Sequence, residues 1–92
     1  MWYLRVVWSH EFAAEPVELL SEVGPDGYER RKVERFRYGR LGWADEDNEV
    51  GGTGLGEIPI TSVAEINAQP EFHATTITAA QFDRVWWQAA RA

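Results

Sequence analysis

The sequence predicts an α+β fold in which an antiparallel β-meander of about four to five strands packs against a C-terminal helix, with a second, short helix before it. Three observations support this prediction. Runs of alternating apolar and polar residues in the N-terminal half are separated by hairpin-length turns, as in antiparallel strands. The C-terminal third carries two helix-capping signals and one apolar stripe with helical spacing. With 92 residues, the chain has the size of one domain, 1–92, because chains divide into domains only at greater length.

Four strands are predicted in the N-terminal half of the chain. They cover residues 2–8, 17–23, 28–37 and 41–43. The first strand has apolar residues on both faces, which favours a central position in the sheet. A turn at residues 24–27 joins the second and third strands, because Pro25 fixes φ and the following Asp and Gly accept turn geometry. A second turn at Tyr38-Gly39 leads into the fourth strand.

Residues 45–56 differ in composition from the strands before them. They combine four acidic side chains with four glycines, which predicts a flexible acidic loop. Loops of this length in a compact domain are often functional. The next residues, 57–60, predict a short strand at the edge of the sheet, because Pro59 cannot donate a hydrogen bond to a neighbouring strand.

Two helices are predicted after residue 61. Ser62 and Glu65 have the spacing of a capping box for a short helix, which Pro70 prevents from extending far. A second capping box between Thr78 and Gln81 opens a longer helix. The apolar stripe of this longer helix consists of Phe82, Val85, Trp86 and Ala89. The residues between the two helices, 72–77, fit either a strand or an extended connector.

Charge is unevenly distributed along the chain. The net charge is −6. Residues 28–44 contain six basic and two acidic side chains, which gives +4 there and leaves −10 for the rest. The negative net charge disfavours nucleic acid as a partner, because phosphates attract positive surfaces. An acidic surface instead speeds association with basic proteins, or it simply keeps a small protein in solution.

The basic run has two interpretations. Arg31 and Arg35 share one face of a strand and Lys32 lies on the other, so neither face is purely apolar. In the first interpretation these cations pair with carboxylates across the hairpin, such as Glu18 or Glu22. In the second they form a site for an anion, an acidic peptide or single-stranded nucleic acid. The residues of that alternative site are Arg31, Lys32, Arg35, Arg37 and Tyr38.

No set of residues predicts an enzyme. The chain has no Cys, and its two His residues lack metal-ligand spacing, so no metal, cofactor or thiol nucleophile is expected. A structural hydrogen bond from His10 is favoured over catalysis by His10 with Glu11 or Glu15. Residues 51–56 share only their glycine content with phosphate-binding loops, since neither a Lys-Ser/Thr ending nor a following helix is predicted. The exposed side of the last helix offers Trp87, which either anchors a partner or covers the sheet edge.

A family pattern runs through nearly the whole chain. Its most distinctive segments are Arg31-Lys32-Val33-Glu34 and Glu65-Ile66-Asn67, and Gly52-Thr53-x-Leu55-Gly56 lies between them. In these segments the chain resembles a small bacterial family classed as domain of unknown function 6881. Tyr38 departs from the acidic residue expected before Gly39, and Thr61 departs from an expected second Pro.

The resemblance implies an immunity protein, since such small acidic proteins are often encoded near polymorphic or contact-dependent toxins. The leading hypothesis is therefore a cytoplasmic protein that binds a cognate bacterial toxin domain and occludes its active site or substrate groove. No apolar run has the length of a membrane span, so no membrane contact is expected. The predicted contacts are the acidic loop and an aromatic neighbour, namely Trp43, Asp45, Glu46, Asp47 and Glu49.

Overall fold

The structure, a computed structural model that describes residues 1–91, contains a six-stranded antiparallel sheet. The strands are β1 Trp2–Trp8, β2 Glu18–Val23, β3 Glu29–Arg35, β4 Leu41–Ala44, β5 Glu49–Val50 and β6 Phe72–Ile77. Their order across the sheet is β5-β4-β3-β2-β1-β6. Five strands form a meander, and β6 pairs with the free side of β1. The α+β prediction is confirmed, and β1 has the central position expected of it.

The C-terminal helix α2, Ala79–Ala90, covers one face of the sheet, which we call the helix face. The predicted capping box is present: Thr78 Oγ1 accepts from the Gln81 N–H at 3.1 Å, and Gln81 Oε1 accepts from the Thr78 N–H at 2.8 Å. Burial of an aromatic ring such as that of Phe82 stabilises the folded state by about 1.5–3 kcal/mol and holds α2 on the sheet. The buried cluster beneath α2 consists of Leu20, Val33, Phe82, Trp86 and Ala89.

A second cluster lies on the opposite face, under the short helix α1, Val63–Asn67. Leu4, Val6 and Ala74 are buried in it. Asn67 ties α1 to the edge strand β6, because its side-chain amide donates to the Ala74 carbonyl at 2.9 Å and accepts from the Ala74 N–H at 2.6 Å. These bonds satisfy main-chain groups that an edge strand would otherwise leave open to another chain.

The capping box predicted for α1 is only half formed. Ser62 Oγ accepts from the Glu65 N–H at 3.0 Å, as expected. The Glu65 carboxylate does not return to the Ser62 N–H and accepts from the Thr61 hydroxyl instead. The helix therefore begins at the predicted place with a simpler cap.

The segment between β4 and α1 corrects two predictions. Residues 45–56 are not a flexible loop, because β5 pairs with β4 in a tight hairpin and Thr53 is 1% exposed. Residues 57–60 are not an edge strand. They cross the opposite face, where the Ile60 N–H donates to the Gly27 carbonyl at 2.8 Å and the Ile60 side chain packs on the second cluster. A short apolar run can cover a sheet face as well as extend its edge. Residues 72–77 form a strand rather than an extended connector.

A bulge at Arg30 changes which side chains share a face of β3. Glu22 pairs with Arg31, but Val23 pairs with Glu29, so Arg30 is the extra residue. Simple alternation would place Glu29 on the same face as Arg31. The bulge instead places Glu29 on the opposite face, beside Lys32 and beneath residues 53–56.

Candidate functional site

The acidic residues predicted to bind a partner lie on the β4–β5 hairpin, and we call residues 45–49 the acidic turn. Asp45 Oδ1 accepts from the Asp47 N–H at 2.9 Å and from the Asn48 side-chain amide at 3.0 Å. These hydrogen bonds lower the pKa of Asp45. Glu46 forms an exposed ion pair with Arg30 at 3.2 Å. The turn therefore presents its carboxylates on an ordered hairpin.

The aromatic residue predicted beside these carboxylates, Trp43, packs into the core. Its ring meets that of Trp86 edge to face, with 5.2 Å between the centroids. The exposed tryptophan is Trp87, which is 57% exposed. It follows Asp83 by four residues, so both lie on the side of α2 where Asp83 contacts Arg31. Because Arg31 lies near the start of β3, Trp87 faces the end of the sheet that carries the acidic turn.

Of the five residues of the alternative anion site, the structure brings only Arg35 and Arg37 to one concavity. Arg31 is enclosed beneath α2, where it donates to Glu22 at 2.8 and 2.9 Å and to Asp83 at 3.0 Å. The hydrogen bonds from Arg31 lower the pKa of Glu22, and the same bonds raise the pKa of Arg31. Arg35 donates to Glu18 at 2.9 Å. The predicted pairing of these arginines with carboxylates across the hairpin is confirmed.

The other three members of that set make separate contacts. Lys32 is on the opposite face, with its ammonium nitrogen 3.4 Å from Glu29 and 3.9 Å from Glu34. Arg37 donates to a carbonyl of the loop after β1. Tyr38 is fully exposed at the β3–β4 turn, in the left-handed conformation with φ 67°. Strand alternation thus separates residues that are adjacent in the sequence.

The glycine-rich segment is bound to the sheet by the carboxylates around Lys32. Thr53 Oγ1 donates to Glu34 at 2.8 Å, and the Gly56 N–H donates to Glu29 at 2.6 Å. A Cβ at Gly42 would collide with the Thr53 hydroxyl, so glycine is required where the segment crosses β4. Because the partners of this segment are negatively charged, the segment serves to close the opposite face rather than to cradle a phosphate.

An open concavity lies on the uncovered half of the helix face, at the end of the sheet away from the acidic turn. Its volume is about 750 Å³, and Arg5, Glu18, Arg35 and Arg37 line it. Glu18 accepts from Arg5 Nε at 2.6 Å and from Arg35 Nε at 2.9 Å. Burial alone would raise the pKa of Glu18, but the hydrogen bonds from Arg35 and Arg5 outweigh it, so the pKa lies below its ordinary value. We call this concavity the arginine groove.

His10 shapes the loop that forms one wall of the arginine groove. Its Nδ1 accepts from the Phe12 N–H at 2.9 Å, so its Nε2 carries the hydrogen that is donated to the Pro16 carbonyl at 2.7 Å. The Trp8 ring lies 4.1 Å from the imidazole, between centroids. Both ring nitrogens are thus engaged by the main chain, as the structural interpretation of His10 requires.

Comparison with known proteins assigns the chain to a family. The profile of DUF6881, described as a domain of unknown function, matches residues 2–91. The chain belongs to the DUF6881 family. No curated protein and no solved structure shows significant similarity to it. The resemblance noted in the sequence is therefore confirmed at the level of the family.

Several residues of the segments that carried the DUF6881 resemblance form contacts on the opposite face. Lys32 and Glu34 belong to the half-buried charges beneath Thr53, and Asn67 fastens α1 to β6. The backbone at Tyr38 explains why the family pattern has an acidic residue at this position. Asp and Asn enter the left-handed conformation more readily than an aromatic residue does, so an acidic residue before Gly39 suits this backbone better.

Two arginines near the groove, Arg5 and Arg84, were not among the site residues predicted from the sequence. Arg5 stands alone in an apolar strand, and Arg84 is an exposed residue of α2. The sequence did hold one signal for Arg5, because a charged residue interrupts an otherwise apolar face of β1. Within residues 1–91, no three His, Asp or Glu side chains are grouped to hold a metal ion. Neither helix in that part of the chain is long and apolar enough to cross a membrane.

Proposed function

We propose that this DUF6881 protein is an immunity-type binding protein, which neutralises a cognate bacterial toxin domain by covering its active site or substrate groove. The observation that carries the proposal is the distribution of unpaired charge. Of 15 carboxylate side chains, seven take part in ion pairs, which leaves eight unpaired among residues 1–91. The eight are Glu11, Glu15, Asp45, Asp47, Glu49, Glu57, Glu65 and Glu71. The fold uses most of its cations internally and leaves negative charge for a partner.

The acidic turn supports this proposal more than the other carboxylates do. Three of the eight unpaired carboxylates, those of Asp45, Asp47 and Glu49, stand within five residues of one hairpin. Because the turn is held by its own hydrogen bonds, little loop entropy is lost when a partner binds. Charge concentrated in this way steers a basic partner during diffusional encounter.

Trp87 supplies the apolar element that an acidic patch lacks. A large rigid side chain buries much area at low entropic cost, and tryptophan is frequent among the residues that dominate binding energy. Trp87 lies on the side of α2 that faces the acidic turn, so the proposed contact surface includes both. A toxin that acts on an anionic substrate has a basic groove, which matches a surface of this kind.

A four-residue neutralisation tests the acidic turn. The variant carries Asp45→Asn, Glu46→Gln, Asp47→Asn and Glu49→Gln, where Asn keeps the acceptor that shapes the turn. The matched control neutralises Glu11, Glu15, Glu57 and Glu71 in the same way. The partner is sought among toxin domains encoded beside this protein. Stopped-flow association with it should slow by about tenfold or more at low salt for the turn variant, and much less for the control.

Trp87→Ala separates the apolar contact from the electrostatic one. We expect dissociation of the toxin to accelerate about thirtyfold, because a central tryptophan contributes about 2 kcal/mol or more. The thermal unfolding midpoint should change little, since the ring is 57% exposed. If the neighbouring toxin domain is neither bound nor inhibited by the wild-type protein, the proposed function is wrong. If both four-residue variants slow association equally, the acidic turn is not the contact.

A further inference from the structure

We infer that the arginine groove binds a phosphomonoester-bearing ligand of about nucleotide size. The groove lies at the other end of the sheet from the acidic turn, so this inference does not depend on the proposed function. It rests on the charge, the free hydrogen-bond donors and the shape of the groove.

The charge of the groove is positive although the whole chain is acidic. Arg5, Arg35 and Arg37 line the larger concavity. A smaller depression of about 270 Å³ adjoins it, shares Arg5 and Arg35, and adds Arg84 from α2. The two depressions are lined by four arginines and by the carboxylates of Glu18 and Glu11, which gives a local charge of +2. A phosphomonoester carries about −1.5 to −2 at neutral pH and balances that charge.

The donors of the groove are oriented before any ligand arrives. Glu18 is 14% exposed at its side chain, and it holds Arg5 and Arg35 through their Nε atoms. The terminal amino groups of both arginines form no hydrogen bond within residues 1–91, and their side chains are 44% and 38% exposed. Guanidinium forks match the geometry of phosphate oxygens and bind them with charge-assisted hydrogen bonds. Glu18 therefore positions two forks whose outer donors are available.

The shape of the groove calls for a ligand larger than phosphate alone. A volume of about 750 Å³ lies in the range of sites for small organic ligands. Val7 and Val17 add apolar surface next to the arginines. A phosphate group at the arginines would leave these apolar walls for the body of the ligand, such as a nucleoside.

Titration of the intact protein with adenosine 5′-monophosphate tests the inference. Amide chemical shifts in ¹⁵N-labelled protein should change saturably at Arg5, Val7, Glu18 and Arg35. Adenosine without phosphate should have no such effect, and inorganic phosphate should shift the residues nearest the arginines. Affinity should fall as the pH is lowered through about 6, where the phosphomonoester loses its second charge.

Two substitutions and a control locate the site. Arg84→Gln should weaken binding about tenfold without affecting folding, because Arg84 forms no ion pair within the described residues. Arg35→Gln should weaken it at least as much. Arg30→Gln removes the same charge at the other end of β3 and should leave affinity unchanged. Unsaturable shifts, wild-type affinity in both groove variants, or malonate binding as tightly as the nucleotide would each overturn the inference.

Discussion

Replacement of Thr53 by Val should destabilise the fold by removing one donor from the buried charges beneath the glycine-rich segment. Thr53 is 1% exposed, and its hydroxyl donates to Glu34 at 2.8 Å. The Glu34 side chain is 12% exposed, and Lys32 at 3.9 Å is too distant to form a hydrogen bond with it. The Glu34 side chain would then lack a direct hydrogen bond at a site with little solvent. Since a hydrogen bond to a charged group contributes about 1.5–3 kcal/mol, we expect the free energy of unfolding to fall by about 2 kcal/mol.

Urea unfolding followed by tryptophan fluorescence measures this loss. A decrease of about 2 kcal/mol lowers the thermal midpoint of a domain of this size by roughly 10 °C. Thr53→Ser keeps the hydroxyl and removes one methyl group, so it should cost only about 0.8 kcal/mol. Amide hydrogen exchange should also accelerate at residues 53–56 in Thr53→Val, because the segment opens locally.

A double-mutant cycle with Glu34→Gln tests the physical cause. If the hydroxyl acts through Glu34, the two substitutions should be coupled by about 1 kcal/mol or more. Wild-type stability in Thr53→Val would refute the reasoning, and so would additive effects of Thr53→Val and Glu34→Gln. Either result would mean that the hydrogen bond between Thr53 and Glu34 does not hold the segment on the sheet.

Two further predictions concern Glu22 and Tyr38. Hydrogen bonds from Arg31 hold the pKa of Glu22 below its ordinary value of 4.5, so this pair stabilises the fold above that pH and the contribution is lost as the pH falls through the folded-state pKa. Urea unfolding from about pH 7 to about pH 3 should therefore show a smaller loss of stability for Glu22→Gln than for the wild type. Tyr38→Asn should raise the free energy of unfolding by about 0.5–1 kcal/mol, because φ is 67° and Asn tolerates the left-handed conformation. A decrease measured by the same method would show that the tyrosine ring makes stabilising contacts.

The elements that the sequence predicted well are those whose signals are local. Alternation in β1 and the capping box at Thr78 depend on residues a few positions apart, and both are present. Residues 45–60 were predicted poorly because their structure depends on distant partners. Thr53 bonds to Glu34 and Ile60 bonds to Gly27, and neither contact leaves a signal in the composition of the segment.

The candidate sites show the same limit. Adjacency in sequence suggested that Trp43 would accompany the acidic turn, but the direction of its ring into the core follows from its place opposite Val33. The arginine groove depends on the register of three strands, because Arg5 and Arg35 meet at Glu18 only through the β1–β2 and β2–β3 pairings. Strand assignment alone does not fix that register. The Arg30 bulge likewise has no clear sequence signal, yet it determines where Glu29 lies.

The arrangement of charge explains how an acidic chain can present two surfaces of opposite sign. Glu22 across the hairpin pairs with Arg31, and Glu29 of the same strand pairs with Lys32, so the basic run that dominates the sequence contributes little to the surface there. At the acidic turn, Glu46 shares Arg30 with Asp26, and the carboxylates of Asp45, Asp47 and Glu49 have no cation among residues 1–91. At the arginine groove, the single carboxylate of Glu18 is shared by two cations. The sign of each surface therefore depends on how many oppositely charged partners each buried or half-buried charge has. The net charge of −6 alone predicts neither the acidic turn nor the arginine groove.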